Sequence, residues 1–185
     1  MESAFSLIEE RHIHALIQQS RFHEAAKLLE CLIYNYRADS DLVGLRLIVA
    51  SMQPNVEDYL RWEAVIQKSF PGTGQDWLAC GLHPGVDIHQ SIICLQRARK
   101  KMNKDPYVHY FLARAWLMLG KIEKALRCAN TCYALDAQFH RVLLVRMECY
   151  RRMGLRELQV KDGFSLMCLS AGMNKEFLWK SLQRY

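Results

Sequence analysis

Two glycines, Gly120 and Gly154, stand 34 residues apart in this chain of 185 residues, and each closes a segment of the same kind. The first segment is PYVHYFLARAWLMLG (106–120), and the second is HRVLLVRMECYRRMG (140–154). In both, apolar residues recur at helical spacing up to the glycine, and a second helical stretch starts at once, at Lys121 and at Leu155. A helix, a glycine turn and a second helix make a unit too small to bury its own apolar face. Copies at a fixed period bury those faces by stacking on one another.

The same periodicity runs through most of the chain. A first helix is expected through Phe5, Leu7 and Ile8 and on through His12 to Ile17, with a break at 18–21. A second runs from Phe22 to Ile33, with the small residue Ala25 near its start and Ser20 where a turn glycine would stand. In the middle, Ser40 or Asp41 is expected to cap a helix through Leu42–Ser51. Pro54 ends that helix. Val56–Phe70 forms another, with Tyr59, Leu60, Trp62, Val65 and Ile66 as core candidates. Residues 71–76 and 81–85 read as turn-rich loops, and Trp77–Cys80 between them is too short for a full repeat helix. A long helix from an Asp87 cap to Met102 comes next, and Pro106 opens another at a favoured first-turn position. A last helix is expected over Asn174–Gln183, carrying Phe177, Leu178, Trp179 and Leu182. No stretch alternates as a strand does, so the expectation is an all-α protein of about nine to eleven helices.

Within 106–139, Leu112, Ala113, Trp116, Gly120, Ala125, Cys132, Leu135 and Asp136 fall in the order Leu, small, aromatic, Gly, Ala, small, Leu, Asp. That order resembles the tetratricopeptide repeat, or TPR. The next unit keeps Met147, Tyr150 and Gly154 but has Gln159 where Ala is expected. The resemblance implies a TPR-like helical-repeat solenoid, here a single domain. Residues 1–37 would form a degenerate repeat, 38–105 an irregular helical middle, 106–139 and 140–173 two TPR-like repeats, and 174–185 a capping helix. It further implies a concave surface lined by the first helix of each unit. On this chain that surface would carry Tyr107, Tyr110, Arg114, Leu117 and Met118, then Arg141, Leu144, Glu148, Arg151 and Arg152. Tyr and Arg are the residue types enriched where binding energy concentrates, and Arg engages a carboxylate through two parallel hydrogen bonds. The implied partner is another protein, offering an extended segment or a helix that is acidic or amphipathic. The Lys and Asn clamp of chaperone-docking TPR domains is absent, since Tyr110 and Arg114 occupy those places. In size and plan the chain also resembles the small TPR chaperones of bacterial type III secretion.

Composition sharpens this. Hydrophobic residues are 51% of the chain, enough for a sizeable core. No apolar run approaches the roughly 20 residues of a membrane span. The start, MESAFSLIEE, has no basic region ahead of an apolar stretch and does not read as a secretory signal. Seven cysteines without a regular framework fit a reducing compartment. A cytoplasmic protein is expected. The net charge of +6 is uneven, with 7 Lys/Arg against 11 Asp/Glu in residues 1–80 and 18 against 8 in 81–185. A basic half favours acidic partners, so a nucleic-acid-associated regulator is the alternative function. A self-assembling scaffold is a third, because repeat ends can stack on each other.

Signals for chemistry are sparse. Residues 71–74 (PGTG) resemble part of a phosphate loop, but Gln75 and Asp76 stand where Lys and Ser/Thr are needed. Cys80, His83, His89, Cys128 and Cys132 do not complete the paired ligand clusters of a structural zinc site. His12 and His14 point to different sides of a helix. No nucleophile elbow or His-Glu-x-x-His motif occurs, and Asp162 to Ser165 lacks the strand–turn–helix frame. No enzyme activity, metal or cofactor is expected. The basic run from Arg97 to Lys104 sits where a helix is expected to end, and cations there complement the macrodipole.

Overall fold

A computed structural model describes residues 7–36 and 39–170. The described residues form ten helices and no strand: α1 Leu7–Gln18, α2 Phe22–Tyr36, α3 Ser40–Ser51, α4 Val56–Ser69, α5 Gly74–Leu82, α6 Ile88–Lys101, α7 Pro106–Met118, α8 Ile122–Leu135, α9 Arg141–Met153 and α10 Arg156–Ser170. The expected helix at 174–183 lies outside the described residues. The chain divides into two compact units, Met1–Asn103 with α1–α6 and Lys104–Tyr185 with α7–α10. Within each unit consecutive helices pair as antiparallel hairpins, and each hairpin packs on the next. This is the all-α, TPR-like arrangement that the spacing anticipates.

The hairpin turns explain the period. Gly120 and Gly154 have φ of 69° and 73°, and Ser20 takes the same left-handed conformation at 60°. Each turn is closed by the same bond between residues five apart. Arg21 N donates to Leu16 O, Lys121 N to Trp116 O and Leu155 N to Tyr150 O, all at 2.9 Å. That 6→1 bond is the Schellman ending, and it satisfies a carbonyl that the helix leaves unpaired. Ser20 therefore does the work of the missing glycine, at the backbone cost that a side chain brings to this conformation. Ala25 and Ala125, each fourth in its second helix, are wholly buried.

The middle is more regular than its composition suggests. Thr73 caps α5, accepting from Asp76 N at 3.2 Å, while Asp76 Oδ2 accepts from Gly72 N at 2.7 Å. The loop expected over 71–76 is thus half turn and half first helical turn, and Gly81 and Leu82, expected in a second loop, are helical. The nine-residue α5 is a complete partner for α6 because Gly81 lets the two approach closely. A Cβ at Gly81 would lie 2.7 Å from Leu95 Cγ. The cap of α3 is Asp39 rather than Ser40 or Asp41, with its carboxylate accepting from Asp41 N at 3.1 Å. On α4, Tyr59, Trp62 and Ile66 enter the core with Val43, Leu47, Ala50 and Ala79, and Val65 packs against it. Leu60 does not: it faces outward on the solvent side of the helix.

One polar residue sits inside this unit. Arg46, on α3, is buried and reaches two neighbouring helices. Its guanidinium donates to Asp58 of α4 through two parallel bonds of 2.8 and 2.9 Å, and to Glu30 of α2 at 2.6 and 3.1 Å. It also lies over the Trp62 ring, 5.1 Å from the centroid. Three helices converge on one cation whose donors are largely taken.

A candidate partner-binding face on α7 and α9

α7 starts from a well-defined cap. Asp105 accepts from Tyr107 N at 2.7 Å, and Pro106 fills the first turn, where its missing N–H costs nothing. The register this sets turns Tyr107 and Tyr110 into the core. Both are buried and meet Phe139 edge-on, with ring centroids 5.1 and 5.0 Å away. The expectation that these two tyrosines line an exposed face is therefore corrected. Phe139, in the connection between α8 and α9, folds inward and supplies an aromatic partner that edge-to-face geometry favours. Burial also pushes the Tyr107 phenol well above its ordinary pKa. Phe139 is the residue that sequence reasoning missed, since a lone aromatic among Asp136, Ala137 and Gln138 reads as part of a polar linker.

The other named residues reach solvent to different degrees. Arg114 is exposed and lies over the Tyr110 ring, 5.7 Å from its centroid. Met118 is 74% exposed and Leu144 54%, while Leu117 and Arg141 are half-buried. Glu148, Arg151 and Arg152 form a knot on α9. Arg151 donates to Glu148 through two bonds of 2.7 Å, and Arg152 Nε donates to the same carboxylate at 2.6 Å. The hydrogen bonds from Arg151 and then Arg152 hold the Glu148 carboxyl down at about 2. Arg152 also reaches Leu117 O at 3.5 Å, placing a cation by the last turn of α7. Helices α7 and α9 are neighbours in this unit. Arg114, Met118 and Leu144 combine exposure with apolar area or with a charge not committed to a carboxylate of the α9 knot, which is itself a pre-formed polar cluster.

The remaining sites of sequence interest have structural roles. Asp162 is buried, with Oδ2 3.1 Å from Arg146 Nε, and Ser165 donates to Lys161 O inside α10. Arg146 also lies over the Tyr133 ring at 4.6 Å. In the glycine-rich turn, Asp76 already occupies the Gly72 N–H that a phosphate would need. Among the described residues no group of three or more His, Cys, Asp or Glu side chains is placed to hold a metal ion. The end of α6 does carry Arg99, Lys100 and Lys101 in its last turn, and Arg97 stacks over Trp77 at 4.4 Å. No described helix is long and apolar enough to cross a membrane.

No protein-family model matches this sequence, and no curated protein matches it. Solved structures do share the fold. A crystal structure of MamA is similar with a TM-score of 0.56 at 14% identity, covering 91% of this chain and 97% of that one. A MamA structure from AMB-1 is similar with a TM-score of 0.55 at 16% identity, over 94% and 96% of the two chains. A thermophilic TPR protein of Thermus thermophilus is similar with a TM-score of 0.56 at 14% identity, over 94% and 93%. At such identities the likeness concerns the fold, and the fold is TPR-like.

Proposed function

We propose that this chain is a non-catalytic interaction module, an adaptor or chaperone that holds a segment or helix of another protein on its α7/α9 face. The observation that carries the reading is the exposure of two apolar side chains, Met118 and Leu144, and of Arg114 on the first helices of adjacent hairpins. Exposed apolar groups rimmed by charge are what a partner's apolar residues desolvate on binding. Arg114 offers a carboxylate two parallel bonds. The favoured partner is thus an amphipathic or acidic segment. A cytoplasmic secretion chaperone is the narrower form of the same idea.

The test uses a triple variant, Arg114→Glu, Met118→Asp and Leu144→Asp. All three side chains are exposed, so the fold should survive, as circular dichroism would verify. Affinity capture from the native cytosol should recover one stoichiometric protein with the wild type and lose it with the variant. A secreted protein in that place supports the chaperone form. Equal recovery by both proteins removes the α7/α9 face as the site. Recovery that depends on nucleic acid and falls steeply with salt would transfer the function to the basic surface instead. Capture of further copies of the chain itself would point to a scaffold.

A further inference from the structure

Hairpin α5/α6 brings two thiols close to the crossing at Gly81. Beyond the Leu95 contact, a Cβ on Gly81 would sit 3.2 Å from the carbonyl oxygen of Ser91. The Ser91 hydroxyl donates to the Gly81 carbonyl at 2.5 Å. Cys80 precedes Gly81 on α5, and Cys94 lies between Ser91 and Leu95 on α6. Both positions therefore adjoin residues of this close approach. There Cys94 stands near enough to Cys80 to raise its thiol pKa, and the Gln90 amide donates to Cys94 Sγ at 3.7 Å. Both cysteines are free thiols; Cys94 is fully buried and Cys80 half-buried. One sulfur is thus reachable from solvent, and the other waits behind it. A disulfide needs Cα atoms about 4.4–6.8 Å apart, a separation that only close backbone approach provides.

We propose that Cys80 and Cys94 are a convertible dithiol that closes to an intramolecular disulfide by exchange with a small disulfide such as oxidised glutathione. The Cys80 thiolate attacks one sulfur of oxidised glutathione. The glutathione S–S bond breaks, and one glutathione thiolate leaves. Cys94, losing its proton, then attacks the Cys80 sulfur and expels the second glutathione. Two protein thiols are oxidised, one small disulfide is reduced to two thiols, and the two protons end on glutathione. The product pins α5 to α6. Burial, then the nearness of Cys94, pushes the Cys80 thiol pKa upward. Thiolate is therefore scarce at neutral pH, and the exchange should accelerate about tenfold per pH unit above it. This makes the pair a response to sustained oxidation rather than a rapid catalyst. The dithiol is independent of the partner-binding face.

The full-length protein tests it directly. No Lys or Arg lies between Lys68 and Arg97, so trypsin releases both cysteines in one peptide, residues 69–97. After oxidised glutathione at alkaline pH and quenching with iodoacetamide, that peptide should be two hydrogens lighter and carry no alkyl group. It should accept two alkyl groups after reduction. Cys94→Ser should stop at a stable glutathione adduct on Cys80. The closed form should melt on the order of 10 °C higher than the reduced one. Wild-type protein that keeps two alkylatable thiols, or accumulates the same adduct as the variant, overturns the proposal. So does closure that occurs only in urea, where α5 has melted and proximity in the fold plays no part.

Discussion

Replacing Arg46 by Met should be the most damaging polar substitution in the first unit, and its size can be worked from the contacts. The side chain of Arg46 is 4% exposed, that of Asp58 15% and that of Glu30 44%. Methionine fills much of the volume but leaves two carboxylates without their cation. Glu30 can rotate to water at little cost. Asp58 cannot, so a largely buried charge loses two hydrogen bonds. Breaking such a pair costs about 3–5 kcal/mol. Loss of the guanidinium above Trp62 adds ~0.5–2 kcal/mol. Because Glu30 escapes, the lower part of the first range applies, and the expected total is about 4 kcal/mol. Whole domains are stable by only about 5–15 kcal/mol, so the variant should fold but sit near its limit. At roughly 4–8 °C per kcal/mol for a unit of this size, the midpoint should drop by about 15–30 °C.

The mechanism has a sharper signature than the loss itself. If the damage is the stranded charge on Asp58, removing that charge should recover part of it. Arg46→Met with Asp58→Asn should therefore cost less than the sum of the two single changes, with a coupling of about 1.5–3 kcal/mol. Urea titration read by hydrogen exchange on peptides from α3 and α4 reports this unit directly. A loss under ~1 kcal/mol for Arg46→Met, or strict additivity in the double variant, would refute the argument that one paired cation holds α2, α3 and α4 together.

Three further outcomes rest on single residues. Ser20→Gly should stabilise by about 1 kcal/mol, because glycine removes the left-handed strain at a turn whose hydrogen bonds are unchanged; thermal melting reads this, and a lower midpoint would contradict the Schellman assignment. Phe139→Ala should cost about 3–5 kcal/mol and erase the near-ultraviolet dichroism of the Tyr107 and Tyr110 rings, whereas an intact signal would place those rings elsewhere. Glu148 ionises at about 2 in the folded protein, against about 4.3 in an unfolded chain. A depressed folded value means that its contribution is present above the unfolded pKa and is lost as pH falls from there towards the folded one. Acid titration of stability should accordingly be shallower in Glu148→Gln over that window, and identical curves would show that the Arg knot does not persist in solution.

The repeat was legible because its signals are local. Gly120, Gly154, Ala125 and Pro106 each report one backbone need or one close approach, and such needs leave a residue type behind at a fixed place. Ser20 was legible by the same logic, as a substitute standing in a glycine's position. The middle was harder because its turns use other chemistry. Thr73, Asp76 and Gly74 read as a loop when taken one by one, yet together they start α5. A helix start differs from a loop only in the periodic segment after it. Arg46 left no trace at all. A buried cation becomes tolerable only when Glu30 and Asp58 arrive from two other helices, and nothing in the sequence places those three together. Leu60 shows the opposite error. It is an apolar residue near a helical face and reads as core, although the periodic positions of α4 are Tyr59, Trp62 and Ile66.

The tyrosines and the α9 knot change what a partner would feel at the candidate face. Counted along the sequence, residues 81–185 carry an excess of ten positive charges, 18 against 8. In the fold several of those cations are engaged locally, although the net excess itself is unchanged. Arg151 and Arg152 share Glu148, Arg146 pairs with Asp162, and Lys124 lies over the Trp116 ring at 4.5 Å. With Tyr107 and Tyr110 turned inward, the proposed site relies on Met118 and Leu144 for apolar area and on Arg114 for charge. Each fully desolvated aliphatic side chain is worth roughly 1.5–3 kcal/mol, while one exposed ion pair gives about 0–1 kcal/mol. A protein segment bound there should hold nearly as well at high salt as at low. A nucleic acid held by many phosphate contacts loses about a thousandfold or more over a modest rise in salt. Ionic strength alone therefore separates the two readings, before any partner has been identified.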